Sequence, residues 1–209
     1  MEPMPSANDP EMKSSPLALT VLAMLNYEPL HPYGVQRLLK QWGKDQVVNV
    51  GQRAGLYRTI DRLLAAGLIE VRGTGRDQQY PERTVYMATE VGRSTAHTWL
   101  EDMLASPKYE FPQFPVALSN VMLLMPEEAR RVLERRAETL AETLAGQEKA
   151  LEHEQRLGLP RVTMLEAEYL RVVTAAELDW VRSIVADLEN GALTWDAESL
   201  RAMAAERAG

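Results

Sequence analysis

Residues 51–92 read GQRAGLYRTIDRLLAAGLIEVRGTGRDQQYPERTVYMATEVG, and two periodicities succeed each other within them. Leu56, Ile60, Leu63 and Leu64 recur three to four apart, the spacing of a helix with one apolar side. Ala65, Ala66 and Gly67 end it, with glycine where a helix turns out through a left-handed residue. Leu68 to Arg72 then reads as a strand, Gly73 to Gln79 has the glycines and polar groups of a hairpin tip, and Thr84 to Ala88 returns. A helix followed by a two-stranded hairpin with a basic tip is the third helix and wing of a winged helix.

Two helices are predicted upstream. Ser15 before Pro16 is a capped start with proline in the first turn, opening the apolar run Leu17, Leu19, Val21, Leu22 and Leu25. Pro32 does the same after the turn YEPLH, for a helix expected to turn Val35, Leu38, Leu39 and Trp42 inward. Downstream, a helix is predicted from near Thr89, with Glu90 in its first turn, through Trp99 to Leu104. Helix, helix, helix, hairpin is the order of a winged helix-turn-helix domain, whose third helix enters the major groove.

Such a frame presents side chains to base edges from the helix and charge to phosphates from the loop. Arg53 and Arg58 suit guanine or phosphate, Gln52 suits adenine, and Arg76 at the hairpin tip suits a minor groove. Tyr57 can bring its hydroxyl to a phosphate, and Arg62 extends the basic surface of the same helix. Charges on one helix are as often a solvated surface, and periodicity alone names no partner. The surrounding helices and the hairpin favour DNA.

Over about eighty residues the chain resembles the PadR-type transcriptional regulators. The resemblance rests on SPLALTVLAMLNYEPLHPYGVQRLL, AGLYRTIDRLLAAGLIEV and PERTVYMATEVGR, with HPYG (His31 to Gly34), the tyrosine of GLY (Tyr57), RLLAAGLI (Arg62 to Ile69) and PERTVY (Pro81 to Tyr86) in the family's order. It implies that Tyr33 and Arg83 join the DNA-contacting set. Thr84 and Ala88 stand where the family often has a second basic residue and a leucine, which implies a wing with a weaker grip on phosphate.

Charge is divided along the chain. The whole carries −7, but residues 13–95 carry +4 and residues 96–209 carry −8. A basic N-terminal domain beside an acidic remainder lets the first contact double-stranded DNA while the second is repelled from it. With no cysteine there is neither a disulfide framework nor a thiolate metal site. No apolar run is long enough to span a bilayer, and residues 1–12 lack the pattern of a signal peptide, so a cytoplasmic protein with no membrane partner is expected.

The C-terminal half follows SPKYEFPQFP, where Pro107, Pro112 and Pro115 block a continuous helix. Ala117 to Leu124 is expected to form a short helix and Pro126 to Leu157 a long one, about 48 Å at 1.5 Å per residue. Leu133, Ala137, Leu140, Leu144, Gln147 and Leu151 alternate four and three apart along it, the seam of a helix that packs on another helix. After a break at Gly158 and Pro160, a second helix places Leu165, Tyr169, Val172, Ala176, Trp180, Ile184 and Leu188 on one side. Two narrow seams in so small a chain point to a second copy, with Leu133, Leu140, Leu144, Leu151, Tyr169, Val172, Trp180 and Ile184 as the candidate dimer contacts. This stretch also resembles the helical C-terminal domain of longer PadR-like proteins, which dimerises in that family. Its recurrent E-x-x-W is matched by Glu177 and Trp180, for which a tryptophan buried at a helix crossing is the expected role.

The expected architecture is therefore mainly α: a tail (1–12), a winged helix-turn-helix domain with a two-stranded wing (13–95), a connecting helix and Pro-rich linker (96–115), a long-helix dimerisation domain (116–195), and a terminal helix or tail (196–209). Two winged helices joined by the arms predict a pseudo-palindromic operator, and the resemblance implies a repressor, relieved by a small aromatic or cationic effector. Trp99, Met103, Tyr109, Phe111 and Phe114 gather near the junction where such a ligand would sit, although aromatics there more often serve as core. A protein-binding adaptor that borrows the winged-helix fold is the alternative. Catalysis has no support: His31, His97 and His153 are scattered, and neither a G-x-x-x-x-G-K loop nor a G-x-S-x-G elbow occurs. His97 and Glu101 share a helix face but lack a third ligand, and His31 reads more cheaply as a cap, so neither metal nor cofactor is expected.

Overall fold

The computed structural model describes residues 12–44, 47–48, 53–75, 83–108 and 110–196, with side chains omitted at 53, 74 and 83. Gln52, Arg76, Tyr109 and the predicted terminal helix from Ala197 lie outside the described residues, as does the tail before Met12. Two compact units meet in sequence at Tyr109 and Glu110.

The first unit comprises α1 (Pro16–Tyr27), α2 (Pro32–Gln41), α3 (Arg53–Ala65), β1 (Ile69–Gly75), β2 (Arg83–Ala88) and α4 (Glu90–Ala105). Local chemistry sets its boundaries. Ser15 Oγ accepts from the Ala18 N–H, His31 Nδ1 from Gly34 and Thr89 Oγ1 from Gly92, each three residues into its helix. His31 is thus the helix cap that its place before Pro32 suggests. Gly67 leaves α3 with φ of 67°, the left-handed exit expected there.

Leu22 and Leu25 of α1, Val35 and Leu39 of α2, Leu56, Ile60 and Leu63 of α3 and Ile69 of β1 are all essentially inaccessible and form one core. Burying such side chains is worth roughly 1.5–3 kcal/mol each, the main force holding three short helices together. Two residues depart from expectation. Trp42 is exposed because α2 stops at Gln41 and the tryptophan is its C-cap, and Leu64 lies at the edge of the α3 stripe, partly in solvent. The antiparallel wing pairs Ile69 with Ala88 and Val71 with Tyr86, then slips by one residue so that Gly73 faces Val85. Arg72 is the extra residue of this bulge. Leu30 exchanges both backbone hydrogen bonds with Tyr86, at 3.0 and 2.9 Å, fastening the α1–α2 turn to the return strand.

The second unit holds α5 (Gln113–Ser119), a 3-10 turn (Val121–Leu123), α6 (Pro126–Arg156) and α7 (Leu165–Glu189). The short helix starts at Gln113, before the expected Ala117, because Pro115 falls in its first turn, where no backbone donor is needed. Gly158 (φ 69°) breaks the chain between the long helices, and Arg161 ties the turn to Glu168 through its Nε and Nη2 at 2.9–3.1 Å. That hydrogen bond holds the Glu168 carboxyl below the ordinary carboxylate range.

Helices α6 and α7 pack on each other, so part of the seam expected to meet a second copy is covered within the chain. Leu133 and Leu151, assigned to a dimer contact, are each only 6% exposed inside their own unit, with Leu178 and Val181 on the α7 side. Leu140, Leu144 and Ile184 are half-buried. The apolar stripe of α7 is a different face: Leu165, Tyr169, Val172, Val173 and Trp180 are exposed. Within the single chain Trp180 is 43% exposed, and the helix crossing expected to bury it is not the α6–α7 contact.

Gln147, in the α6 seam between Leu144 and Leu151, has a buried Oε1 with no hydrogen-bond partner among the described residues. A buried acceptor without a donor costs about 1–3 kcal/mol. Replacing Gln147 by leucine is expected to stabilise the hairpin by about 1 kcal/mol, read as a higher denaturant midpoint for residues 110–196 in the full chain. A lower midpoint would mean that the amide is satisfied.

Candidate nucleic-acid interface

The three inward residues of α3 fix what the helix shows outside. With Leu56, Ile60 and Leu63 in the core, the outward strip is Ala54, Tyr57, Arg58, Asp61, Arg62 and Ala65, all exposed. Tyr57 is 49% accessible. Arg58 folds back along the helix, its Nε donating to the Ala54 carbonyl at 3.2 Å, which orients the guanidinium along the strip. Thr59, nearly buried, spends its hydroxyl on the Gly55 carbonyl at 2.9 Å and offers nothing outward. The small Ala54 and Ala65 let another surface approach the helix closely. Arg53 opens the helix.

Tyr33, in the first turn of α2, is exposed, its ring tilted 40° to that of His31 at 6.1 Å. Arg83 begins the return strand opposite Gly75. Two exposed residues were missed by sequence reasoning. Asp61 lies three positions after Arg58 on the same strip, and the helical period that placed the arginines is the signal that places it too. Arg72 is exposed on the wing with its Nε 3.1 Å from Glu70 Oε1; only the pairing register reveals it as a bulge residue.

The corner below the strip is held rigidly. Thr89 Oγ1 donates to the Gly67 carbonyl at 2.8 Å while accepting from Gly92, and the Thr89 N–H reaches the Leu68 carbonyl at 3.0 Å. The exit of α3, the entry of β1 and the start of α4 are thus one hydrogen-bonded joint, so the strip is presented by a fixed frame.

Trp99 packs against the winged-helix core. Phe114 lies under Arg136 and edge-on to Trp180 at 6.1 Å, while Met103 is half-buried and Phe111 is 85% exposed. His97 Nδ1 sits 3.6 Å from Glu101 on an exposed helix face, and no group of three metal-ligating side chains occurs among the described residues. Nor is any described helix long and apolar enough to cross a membrane.

No family model matches this sequence, and no curated protein matches it. Similarity appears in three dimensions. The crystal structure of Bacillus subtilis PadR in complex with operator DNA is 18% identical, with a TM-score of 0.70 over 82% of this chain and 98% of that one. The same protein in complex with p-coumaric acid gives 0.65 over 85% and 99%, at 16% identity. The Vibrio cholerae virulence activator AphA gives 0.62 over 83% and 98%, at 18% identity. The fold is that of the PadR-like transcriptional regulators, over the winged helix and the long-helix region alike.

Proposed function

We propose that this chain is a sequence-specific DNA-binding transcription regulator, a homodimeric repressor of a pseudo-palindromic operator. The observation that carries the reading is the outward strip of α3, where Tyr57, Arg58, Asp61 and Arg62 stand exposed on a helix whose C-terminal exit is hydrogen-bonded to the start of α4. Arginine forks match guanine or phosphate, aspartate accepts from cytosine N4, and a tyrosine hydroxyl reaches phosphate. The adaptor alternative would have this side apolar; the polar and charged composition argues against it. A structural neighbour crystallised with operator DNA supports the same reading.

Dimerisation is supported by the exposed stripe Leu165, Tyr169, Val172, Val173 and Trp180, a run of large apolar groups that a second copy would cover. It answers an energetic need, because one winged helix makes few phosphate contacts and two joined ones address half-sites a helical turn or a multiple apart. The effector part of the proposal is a small aromatic or cationic molecule contacting some of Trp99, Met103, Phe111 and Phe114; its support is the neighbour bound to p-coumaric acid.

The test is an operator selected from random duplex DNA, then titrated as full element and as single half-site at several salt concentrations. The half-site is expected to bind at least about a hundredfold more weakly, and affinity for the full element to fall steeply with salt. Equal affinity for half and full elements would sink the dimer, and failure to select any sequence would sink the DNA reading.

A further inference from the structure

Helix α4 ends at Ala105 and α5 begins at Gln113, so residues 106–112 are all that separates the last helix of the first unit from the first helix of the second. Neither α5 nor the 3-10 turn after it buries a side chain fully. The segment is fastened to the hairpin by specific contacts instead. The Arg136 guanidinium lies over the Phe114 ring, 3.5 Å from its centroid, and its Nε donates to Glu177 Oε1 at 2.7 Å, with Nη2 on the same oxygen. Trp180, one turn from Glu177, meets Phe114 edge to face. At the far end, Trp195 Nε1 donates to the Leu124 carbonyl at 2.9 Å. A cation held between a carboxylate and an aromatic face, with a second ring beside it, is a directional contact.

We propose that Phe114, Arg136, Glu177 and Trp180 form a clamp that sets the tether between each winged helix and the paired arms, and thereby the half-site spacing the dimer accepts. The inference rests on the DNA-binding reading above. Seven residues reach at most about 25 Å when fully extended, less than the roughly 34 Å of one turn of duplex. With the clamp open, the chain between Ala105 and Pro126 is about 20 residues and reaches up to about 70 Å. Effective concentration at the second half-site falls roughly as the −3/2 power of tether length, about fivefold for this change. A short tether also resists a half-site carried to the opposite side of the duplex, and a long one does not. Arg136 and Glu177 are positioning residues: they act on DNA only through the segment they hold.

The experiment compares the full-length wild type with Arg136→Ala, Glu177→Ala and Arg136→Lys on the selected operator, on that operator with five base pairs inserted between half-sites, and on one half-site. Wild type is expected to prefer the natural spacing by tenfold or more. Both alanine variants should bind the natural operator about fivefold more weakly, lose most of the spacing preference, and keep wild-type affinity for one half-site. Arg136→Lys keeps a cation between ring and carboxylate and should keep the preference. Alanine variants that remain dimeric in sedimentation and discriminate spacing as wild type does would overturn the clamp while leaving DNA binding intact. Loss of half-site binding in them would overturn it too, since the residues would then be supporting the reading domain itself. A wild type that binds no duplex overturns the underlying reading first.

Discussion

Replacing Gly92 by alanine is expected to unfold the winged-helix unit at temperatures where the wild type is intact. A Cβ built there lies 1.9 Å from the Leu68 carbonyl oxygen and 2.8 Å from its carbon, far inside contact distance and against backbone. Leu68 cannot retreat. Its N–H is bonded to the Leu63 carbonyl at 2.9 Å, its oxygen accepts from Thr89 at 3.0 Å, and its side chain is buried. Overpacking usually costs about 1–3 kcal/mol, and with no movable partner the cost here falls at or above about 3 kcal/mol. A domain of this size loses about 4–8 °C per kcal/mol, so the melting temperature should drop by on the order of 15 °C. Gly55→Ala is the control, because its Cβ meets nothing within 4 Å. It should be neutral or gain up to about 1 kcal/mol from helix propensity. Circular dichroism melts of both variants decide the matter, and a Gly92→Ala protein melting within about two degrees of wild type would mean that α4 does not close on the α3–β1 corner as described.

The same joint shows why so much of the first unit was legible in sequence. The cap and exit signals are local, His31 and Thr89 each accepting from the residue three positions on and Gly67 taking a left-handed φ, and Leu56, Ile60 and Leu63 face one core, so period and cap signals coincide with the tertiary answer. In the second unit the signals separate. The α7 residues with the clearest apolar period, Leu165, Tyr169, Val172 and Trp180, lie on the exposed face, while the buried residues of that helix are Leu178 and Val181. A helix with two apolar faces gives one blended pattern, and periodicity cannot say which face the chain covers itself. The clamp was illegible for another reason: Phe114, Arg136 and Glu177 are far apart in sequence and join only once α6 and α7 are paired. Of the interface, the strip from Tyr57 to Arg62 was readable from helical period alone. Asp61 falls on the same helical period as the arginines, and a helix face admits no selection by charge.

Substituting both Arg53 and Arg58 by alanine is expected to abolish operator binding while leaving the dimer intact, the largest functional effect a change on α3 should have. An arginine on a base contributes about 1–3 kcal/mol of discrimination, and a dimer carries four such side chains. The combined loss is at least about 4 kcal/mol, roughly a thousandfold in affinity. Arg58 is exposed, Arg53 stands at the first position of α3, and the stripe proposed for dimerisation lies on α7, so sedimentation and melting should be unchanged. A lysine arm separates the two jobs an arginine can do. If Arg58 only neutralises phosphate, Arg58→Lys keeps most of the affinity and the salt slope. If it reads guanine with its fork, lysine keeps the slope and loses the preference at one base pair, because an ammonium cannot donate two parallel hydrogen bonds. Arg58 Nε is already bonded to the Ala54 carbonyl of its own helix, which leaves the two Nη groups as the pair of donors a guanine edge would take. Wild-type binding by the double alanine variant would move the reading surface off α3 altogether, and with it the reason this helix carries Tyr57, Asp61 and Arg62 in the open.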